Sequence, residues 1–135
     1  MQGVCLVRIL KILFLVTDIG FIFYWLITAL HLIPLEWAFK DYTNPILMDW
    51  NWSFFPLDMF VSLTGFLSLY FYAKKIEKWK LFCLCSLVLT FCSGLQAIAF
   101  WVLRSDFDLA WWLFNLYLLI YPLVFIYKLI NGRLS

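Results

Sequence analysis

Residues 81–130 read LFCLCSLVLTFCSGLQAIAFWVL-RSDFD-LAWWLFNLYLLIYPLVFIYKLI. This stretch contains two long apolar segments, 81–103 and 109–130, separated by the short charged segment 104–108. A helix needs about 20 apolar residues to cross the hydrocarbon core of a bilayer, and each of the two segments supplies them. The stretch therefore predicts two transmembrane helices that are joined by a tight turn and lie antiparallel to each other.

Two more apolar segments precede this pair, at residues 9–33 and 54–73. Pro34 is predicted to close the first one, because a proline disfavours helical geometry in the residue before it. Ser53 is predicted to cap the second, with Pro56 in its first turn, where a missing N–H costs little. The sequence thus predicts an all-α fold: a single-domain four-helix transmembrane bundle with up-down-up-down topology.

The composition of the whole chain supports a lipid environment. Of its 135 residues, 66% are hydrophobic and 13% are charged. A soluble domain is about 45–50% apolar and about 25% charged, and this chain has too few polar groups to cover a surface in water. A nucleic-acid partner is not expected, since no aqueous domain is present to carry a basic patch. Membrane lipid is the expected partner.

The basic residues indicate how the bundle is oriented, because Lys and Arg accumulate on the cytoplasmic side of membrane proteins. The opposite side of the predicted bundle keeps only Lys40 and Arg104. We therefore expect a multi-pass protein of the cell membrane with both chain ends in the cytoplasm. The cytoplasmic side holds Arg8, Lys11, Lys74, Lys75, Lys78, Lys80, Lys128 and Arg133.

The long connection between the first two segments, residues 35–53, is rich in apolar and aromatic side chains. Such a segment should not extend into water. It is expected to lie in the headgroup region or to fold back over the outer end of the bundle, as an interfacial aromatic loop. Asn44-Pro45 marks a turn within it.

Three motifs carry a resemblance to a known family: DIG at 18–20, KDYTNP at 40–45 and DWNWSFFPLD at 49–58. On these motifs the chain resembles the YvaD-like small integral membrane proteins of Bacillus and its relatives. The resemblance covers nearly the whole chain and is most specific at residues 51–58. Because that family is of unknown function, the resemblance implies an integral membrane protein and assigns no catalytic residue.

A weaker, architectural similarity is to the EXPERA membrane domain of sterol isomerases and sigma-2-type receptors. Those proteins have four spans, an Asp/Asn-Pro pair in the first outer loop and an acidic residue early in the second span. Asn44-Pro45 and Asp58 occupy comparable places here. The similarity implies one alternative function, an intramembrane isomerase that uses Asp58 and His31.

Several polar side chains fall within the predicted spans, where an ionisable group costs about 2.5–3.5 kcal/mol. Counting about 1.5 Å per residue from the outer helix ends places His31, Asp58, Gln96 and Asn115 in one layer. We expect them to line a pocket that opens toward the outer leaflet, with Trp52 in its aromatic roof and Asp58 as its anion. In the alternative interpretation these groups hydrogen-bond between helices or reach interfacial water.

Asp18 lies deeper, in the cytoplasmic half of the first segment. A lone carboxylate in the first of four spans is similar to the arrangement in small multidrug exporters, where it is a shared proton and cation site. This similarity implies a second alternative function, a proton-coupled transporter that works as a homodimer. The structural interpretation is that a tyrosine or serine hydroxyl hydrogen-bonds the Asp18 carboxylate.

The leading functional hypothesis is a non-enzymatic membrane protein. It binds a lipid-like or amphipathic ligand, such as a hydrophobic small molecule, or a partner helix in its outer half. The sequence indicates no catalytic residues, no cofactor and no metal site. Its four cysteines contain no CxxC pair; they are Cys5, Cys83, Cys85 and Cys92.

Overall fold

A computed structural model describes residues 2–134 of the chain. The predicted cytoplasmic positions of Met1 and Ser135 lie outside the described residues. All regular secondary structure within the described range is helical. The helices in chain order are α1 (Gln2–Ala29), α2 (Leu35–Ala38), α3 (Pro45–Trp52), α4 (Phe54–Ala73), α5 (Trp79–Leu103) and α6 (Leu109–Ile130).

The first helix differs from the predicted segment 9–33 at both ends. It begins earlier because Val7 and Leu10 are buried against the other helices, so packing extends the helix beyond the apolar run. It ends earlier because the chain turns at His31, whose φ of 51° is left-handed. Pro34 lies beyond that turn and does not end the helix.

The same hydrogen-bonded turn closes each of the four long helices of the described chain. After α1, the amide of Leu32 donates to the carbonyl of Ile27 (3.0 Å), and His31, directly before Leu32, has a left-handed backbone conformation. This pairing is the Schellman motif, which satisfies carbonyls left free at a helix end. The left-handed positions are His31 after α1, Lys75 after α4, Ser105 after α5 and Gly132 after α6.

The helices pack in chain order: α1 against α4, α4 against α5, and α5 against α6. Gly94 sets the spacing of the last pair, since a Cβ there would lie 2.8 Å from the backbone oxygen of Asn115 and the backbone nitrogen of Leu119. The first and last helices meet through long side chains. The Thr17 hydroxyl lies 3.0 Å from that of Tyr117.

Two clusters of buried apolar residues fill the bundle. The larger cluster includes Phe14, Leu87 and Phe125 and lies at the lysine-rich end. The smaller one, formed by Phe21, Val61 and Leu118, lies toward the other end. The core is therefore thinner in the half that the 35–53 segment approaches.

That segment contains two helices, α2 and α3, rather than an irregular loop. Asn44 caps α3: its side-chain oxygen accepts hydrogen bonds from the amides of Ile46 (3.0 Å) and Leu47 (3.4 Å), with Pro45 in the first turn. The predicted capping role of Ser53 is wrong, because Ser53 has helical backbone angles and joins α3 to α4. Its hydroxyl donates to the carbonyl of Trp50 (2.6 Å).

The α2–α3 segment is fastened over one end of the bundle. Two side chains of this segment, Phe39 and Leu47, are buried. The indole of Trp50 stacks on the ring of Phe100 at 3.9 Å. Lys40 donates to the carboxylate of Asp106 at 2.6 Å, which ties the segment to the connection between α5 and α6.

Three helical stretches of the described chain are long and apolar enough to cross a membrane, by length and composition. They are Pro45–Ala73, in which α3 continues into α4, Trp79–Leu103 and Leu109–Ile130. These helices indicate a membrane protein.

Candidate ligand-binding cavity

A cavity of about 70 Å³ lies beneath the α2–α3 segment, in the half of the bundle with the thinner core. All four long helices and α3 contribute to its wall. The polar lining consists of Tyr24, Asn51, Asp58, Ser93 and Asn115. The aromatic lining includes Phe21, Trp25, Trp50, Phe54, Trp111 and Phe114.

Asp58 is the acidic residue of this cavity, and its side chain is held from two sides. The indole N–H of Trp25 donates to Oδ2 (2.9 Å), and the hydroxyl of Ser93 donates to Oδ1 (3.0 Å). The residue is 4% exposed. Both donors are neutral, and the ion pairs among residues 2–134 lie elsewhere, at Lys40–Asp106 and Lys80–Glu77. The carboxyl group is hydrogen-bonded, and no cationic side chain among the described residues pairs with it.

Two amide side chains complete the polar lining. The Nδ2 atom of Asn51 is buried and has no hydrogen-bond partner, whereas its Oδ1 lies 3.4 Å from the hydroxyl of Tyr24. Asn115 donates from Nδ2 to the carbonyl of Trp111, one turn earlier in α6 (2.8 Å). A buried donor without a partner costs free energy, and only a group with a hydrogen-bond acceptor can satisfy it.

Only part of the predicted pocket comes together. Asp58 and Asn115 line the cavity, but His31 and Gln96 are exposed and lie outside it. His31 is turned outward at the end of α1. Gln96 lies one residue before Ala97, which does line the cavity, and one residue rotates a helix by about 100°. The position of these residues along their helices was predictable, whereas the side of the helix on which each one lies was not.

The roof also differs from the expectation, by two residues along α3. Trp52 packs against Trp25 with ring centroids 5.1 Å apart, but it does not line the cavity. Trp50 does line it. The alternative of an acid–base pair requires Asp58 and His31 to share one cavity, and His31 does not line the cavity that contains Asp58.

The sequence reasoning missed Trp25, Ser93 and Asn51. A signal existed for Trp25, since a tryptophan within an apolar span needs an acceptor for its N–H and Asp58 is the acid at similar depth. Ser93 could not be found from sequence, because the phase of α5 is set by the contact of Gly94 with α6.

Asp18 forms a second site, below the cavity. It is 1% exposed, and neither of its carboxyl oxygens has a hydrogen-bond partner. The expected hydroxyl partner is absent: Ser62 donates to the backbone carbonyl of Asp18 (3.0 Å), and Tyr117 and Tyr121 contact Thr17 instead. The carboxyl group lies directly against Gly65, where any Cβ would collide with it.

Comparison with known proteins confirms the expected family. The chain is 60% identical over 127 residues to the Uncharacterized protein YvaD of Bacillus subtilis (strain 168), an alignment that covers 93% of this chain and 96% of the relative. The similarity to EXPERA-domain proteins is not shown by these comparisons. No solved structure is significantly similar. Residues 10–135 match the Family of unknown function (DUF5360), and the chain belongs to this family.

Proposed function

We propose that the chain is a four-span protein of the cell membrane, in which α1 crosses the bilayer in addition to the three stretches described above. The support is a stripe of exposed apolar side chains along one face of α1. These residues follow helical spacing, and their exposed fractions lie between 42% and 60%. A contiguous apolar surface of this kind marks contact with lipid or with another protein. The stripe consists of Ile12, Val16, Ile19, Phe23 and Leu26.

The dimensions and charges agree with this placement. The 28 residues of α1 extend about 42 Å at 1.5 Å per residue, more than the roughly 30 Å of a hydrocarbon core. The lysine-rich side of the bundle is formed by both chain ends and the connection between α4 and α5. By the positive-inside tendency, that side faces the cytoplasm, and the α2–α3 segment faces outward.

Within this membrane protein, we infer that the cavity binds the polar head of an amphipathic ligand. Its size limits the head. An apolar cavity of about 150 Å³ in another protein holds one benzene molecule, and the cavity here, at about 70 Å³, is roughly half as large. A group of a few heavy atoms fits, whereas a sterol nucleus or an entire lipid headgroup does not.

The lining favours a head that carries a positive charge. The Asp58 carboxylate, with two neutral donors and no cationic partner, is the observation that carries the proposal. Burying a carboxylate in a medium of low dielectric is costly unless a cation pairs with it. Aromatic faces attract cations as well, and Trp25, Trp50 and Trp111 line the same space. We propose a small ammonium group attached to an apolar chain.

The route into the cavity is lateral. The outer end is closed by the α2–α3 segment, with Trp50 stacked on Phe100. The side between α1 and α6 is more open, because these two helices meet through side chains only. Phe114 lines the cavity on this side, is 51% exposed and touches Phe21 edge-on. A ligand dissolved in the bilayer can enter there and leave its chain in lipid.

The test compares dodecylamine with dodecanol, which differ in the charge of the head. The purified protein in a neutral detergent is titrated with each compound, and the melting temperature is measured. Dodecylamine should raise it saturably and dodecanol should not. Asp58→Asn should abolish the rise. Asp49→Asn, which removes an exposed acid from α3, should retain it. A rise that survives in Asp58→Asn would contradict the proposal.

A second candidate function, proton-coupled transport by a homodimer, is favoured by one observation. The buried carboxyl of Asp18 has no partner inside one subunit, as expected of a group that must exchange a proton. In vesicles that contain the protein, an imposed pH gradient should drive uptake of a lipophilic cation. Asp18→Asn should abolish this uptake and Asp49→Asn should not. Equal uptake by both variants would exclude the transporter.

A further inference from the structure

The lysine-rich end of the bundle contains a second, larger pocket, about 390 Å³ in volume. It lies where α1 passes the connection between α4 and α5. This site is separate from the outer cavity and does not depend on it. Its lining consists of Lys11, Tyr72, Ala73, Lys75, Glu77 and Trp79.

The pocket is electropositive. Lys11 is placed over the ring of Tyr72, with Nζ 4.0 Å from the ring centroid. Lys75 is exposed at the left-handed position that ends α4. The acid in the lining, Glu77, is already paired with Lys80 at 3.0 Å. Among the ion pairs of residues 2–134, none involves Lys11 or Lys75, so both ammonium groups are available to an anion.

The lining of the pocket contains two aromatic rings, and an exposed apolar side chain follows it along α1. The rings of Tyr72 and Trp79 meet edge-to-face at 5.1 Å, and Trp79 is buried. Tyrosine and tryptophan favour the level of lipid headgroups. One turn further into the membrane along α1, Leu15 follows Lys11 on the same face and is exposed. If the lysines hold an anion, an acyl chain attached to that anion can lie on the apolar surface of α1 beside it.

We propose that this pocket binds the headgroup of an anionic phospholipid. Its phosphate lies between Lys11 and Lys75, and an acyl chain follows the face of α1 marked by Leu15. Basic pockets between helices on the cytoplasmic side are suited to such headgroups. A zwitterionic lipid has the same phosphate, but its own cation competes with the two lysines. A soluble phosphate lacks the chain contact.

The experiment titrates the full-length protein in mild detergent with phosphatidylglycerol or phosphatidylcholine of equal chain length, and native mass spectrometry counts bound lipids. Phosphatidylglycerol should fill one site with an affinity on the order of ten-fold above phosphatidylcholine. K11Q/K75Q should lose most of this preference. The control K74Q/K78Q removes the same charge from neighbouring lysines outside the pocket, and it should stay within about two-fold of the unmodified protein.

Three results would overturn the proposal. Equal losses in K11Q/K75Q and K74Q/K78Q would mean diffuse attraction rather than a site. Displacement of the lipid by equimolar glycerol 3-phosphate would identify a soluble phosphate as the ligand. Because Lys11 packs on Tyr72, the double variant could fold poorly. The single variant K75Q alters an exposed side chain and should alone lower the affinity about three-fold or more, so unchanged binding by K75Q is the third contrary result.

Discussion

Two buried aspartates of this bundle differ in their hydrogen-bond partners. Asp58 has a donor for each oxygen, from Trp25 and Ser93, and lies in a cavity. Asp18 has none and lies against Gly65. Removing an acceptor leaves its donors unsatisfied, whereas removing an unpartnered group does not. The same substitution should therefore cost more stability at Asp58 than at Asp18.

Asp58→Ala should lower the free energy of unfolding by about 1–3 kcal/mol, because the indole N–H of Trp25 and the hydroxyl of Ser93 lose their acceptor. Asp18→Ala is the matched control, since it also removes a buried carboxyl but breaks no side-chain hydrogen bond. It should cost less or stabilise. Thermal unfolding of both variants in one detergent checks this. A larger loss for Asp18→Ala would mean that Asp18 has a structural partner.

Gly65→Ala should lower the free energy of unfolding by about 1–3 kcal/mol, as overpacked sites do, because its Cβ would collide with the Asp18 carboxyl. Gly20→Ala is the control. No atom outside its own helix lies within 4 Å of a Cβ there, and alanine favours helix over glycine. In an Asp18→Ala background the cost of Gly65→Ala should largely disappear. If it persists, the collision is not its cause.

At the level of residues, sequence predicts depth better than direction. Asp58 and Asn115 could be placed near the outer end by counting, and both line the cavity. Gln96 was placed by the same count and lies outside. The phase of its helix depends on the Gly94 contact with the backbone of α6, which is a tertiary feature that no local pattern encodes.

Among the elements, the long helices were predictable because their apolar runs are unbroken. α4 and α6 have the bounds of the predicted segments 54–73 and 109–130. The start of α3 was not predictable, because two cap signals compete: Asn44-Pro45 and Ser53 with Pro56. Both fit the rules for helix starts. The buried Leu47 decides the outcome, since it fastens the earlier helix to the bundle.

Asn44→Ala should loosen α3, because the amides of Ile46 and Leu47 lose the oxygen that caps them. A lost N-cap costs about 1 kcal/mol, which corresponds to about five-fold faster local exchange. Hydrogen–deuterium exchange of residues 45–52 should show this increase, and residues 81–103 should not change. Thr43→Ala, an exposed neighbour, serves as the control. Equal exchange in both variants would show that the cap does not hold α3.

For the molecule as a whole, the decisive prediction concerns the number of crossings. In a variant without the four native cysteines, single cysteines at Gly3, Thr43, Lys74 and Ser105 are labelled on intact cells with an impermeant maleimide. Four spans with cytoplasmic ends require labelling at Thr43 and Ser105 and protection at Gly3 and Lys74. If Gly3 and Thr43 behave alike, α1 does not cross the membrane.

Fold class and membrane character were within reach of the sequence, because both follow from composition and apolar length. The cavity was not. Phe21 of α1 and Phe114 of α6 meet edge-to-face in its wall, and no spacing along the chain reports a distance between the first and last helices.

The packing order α1–α4–α5–α6 has a further consequence for biosynthesis. Every close pair of long helices joins helices that leave the ribosome consecutively, so each new helix can dock onto the one before it, and contacts with small sequence separation form early. Only the contact between α1 and α6 must wait until α6 has been synthesised. If the chain is divided between α4 and α5, the two fragments should thus recombine when they are co-expressed. A fragment that ends before α6 lacks the contact between α1 and α6.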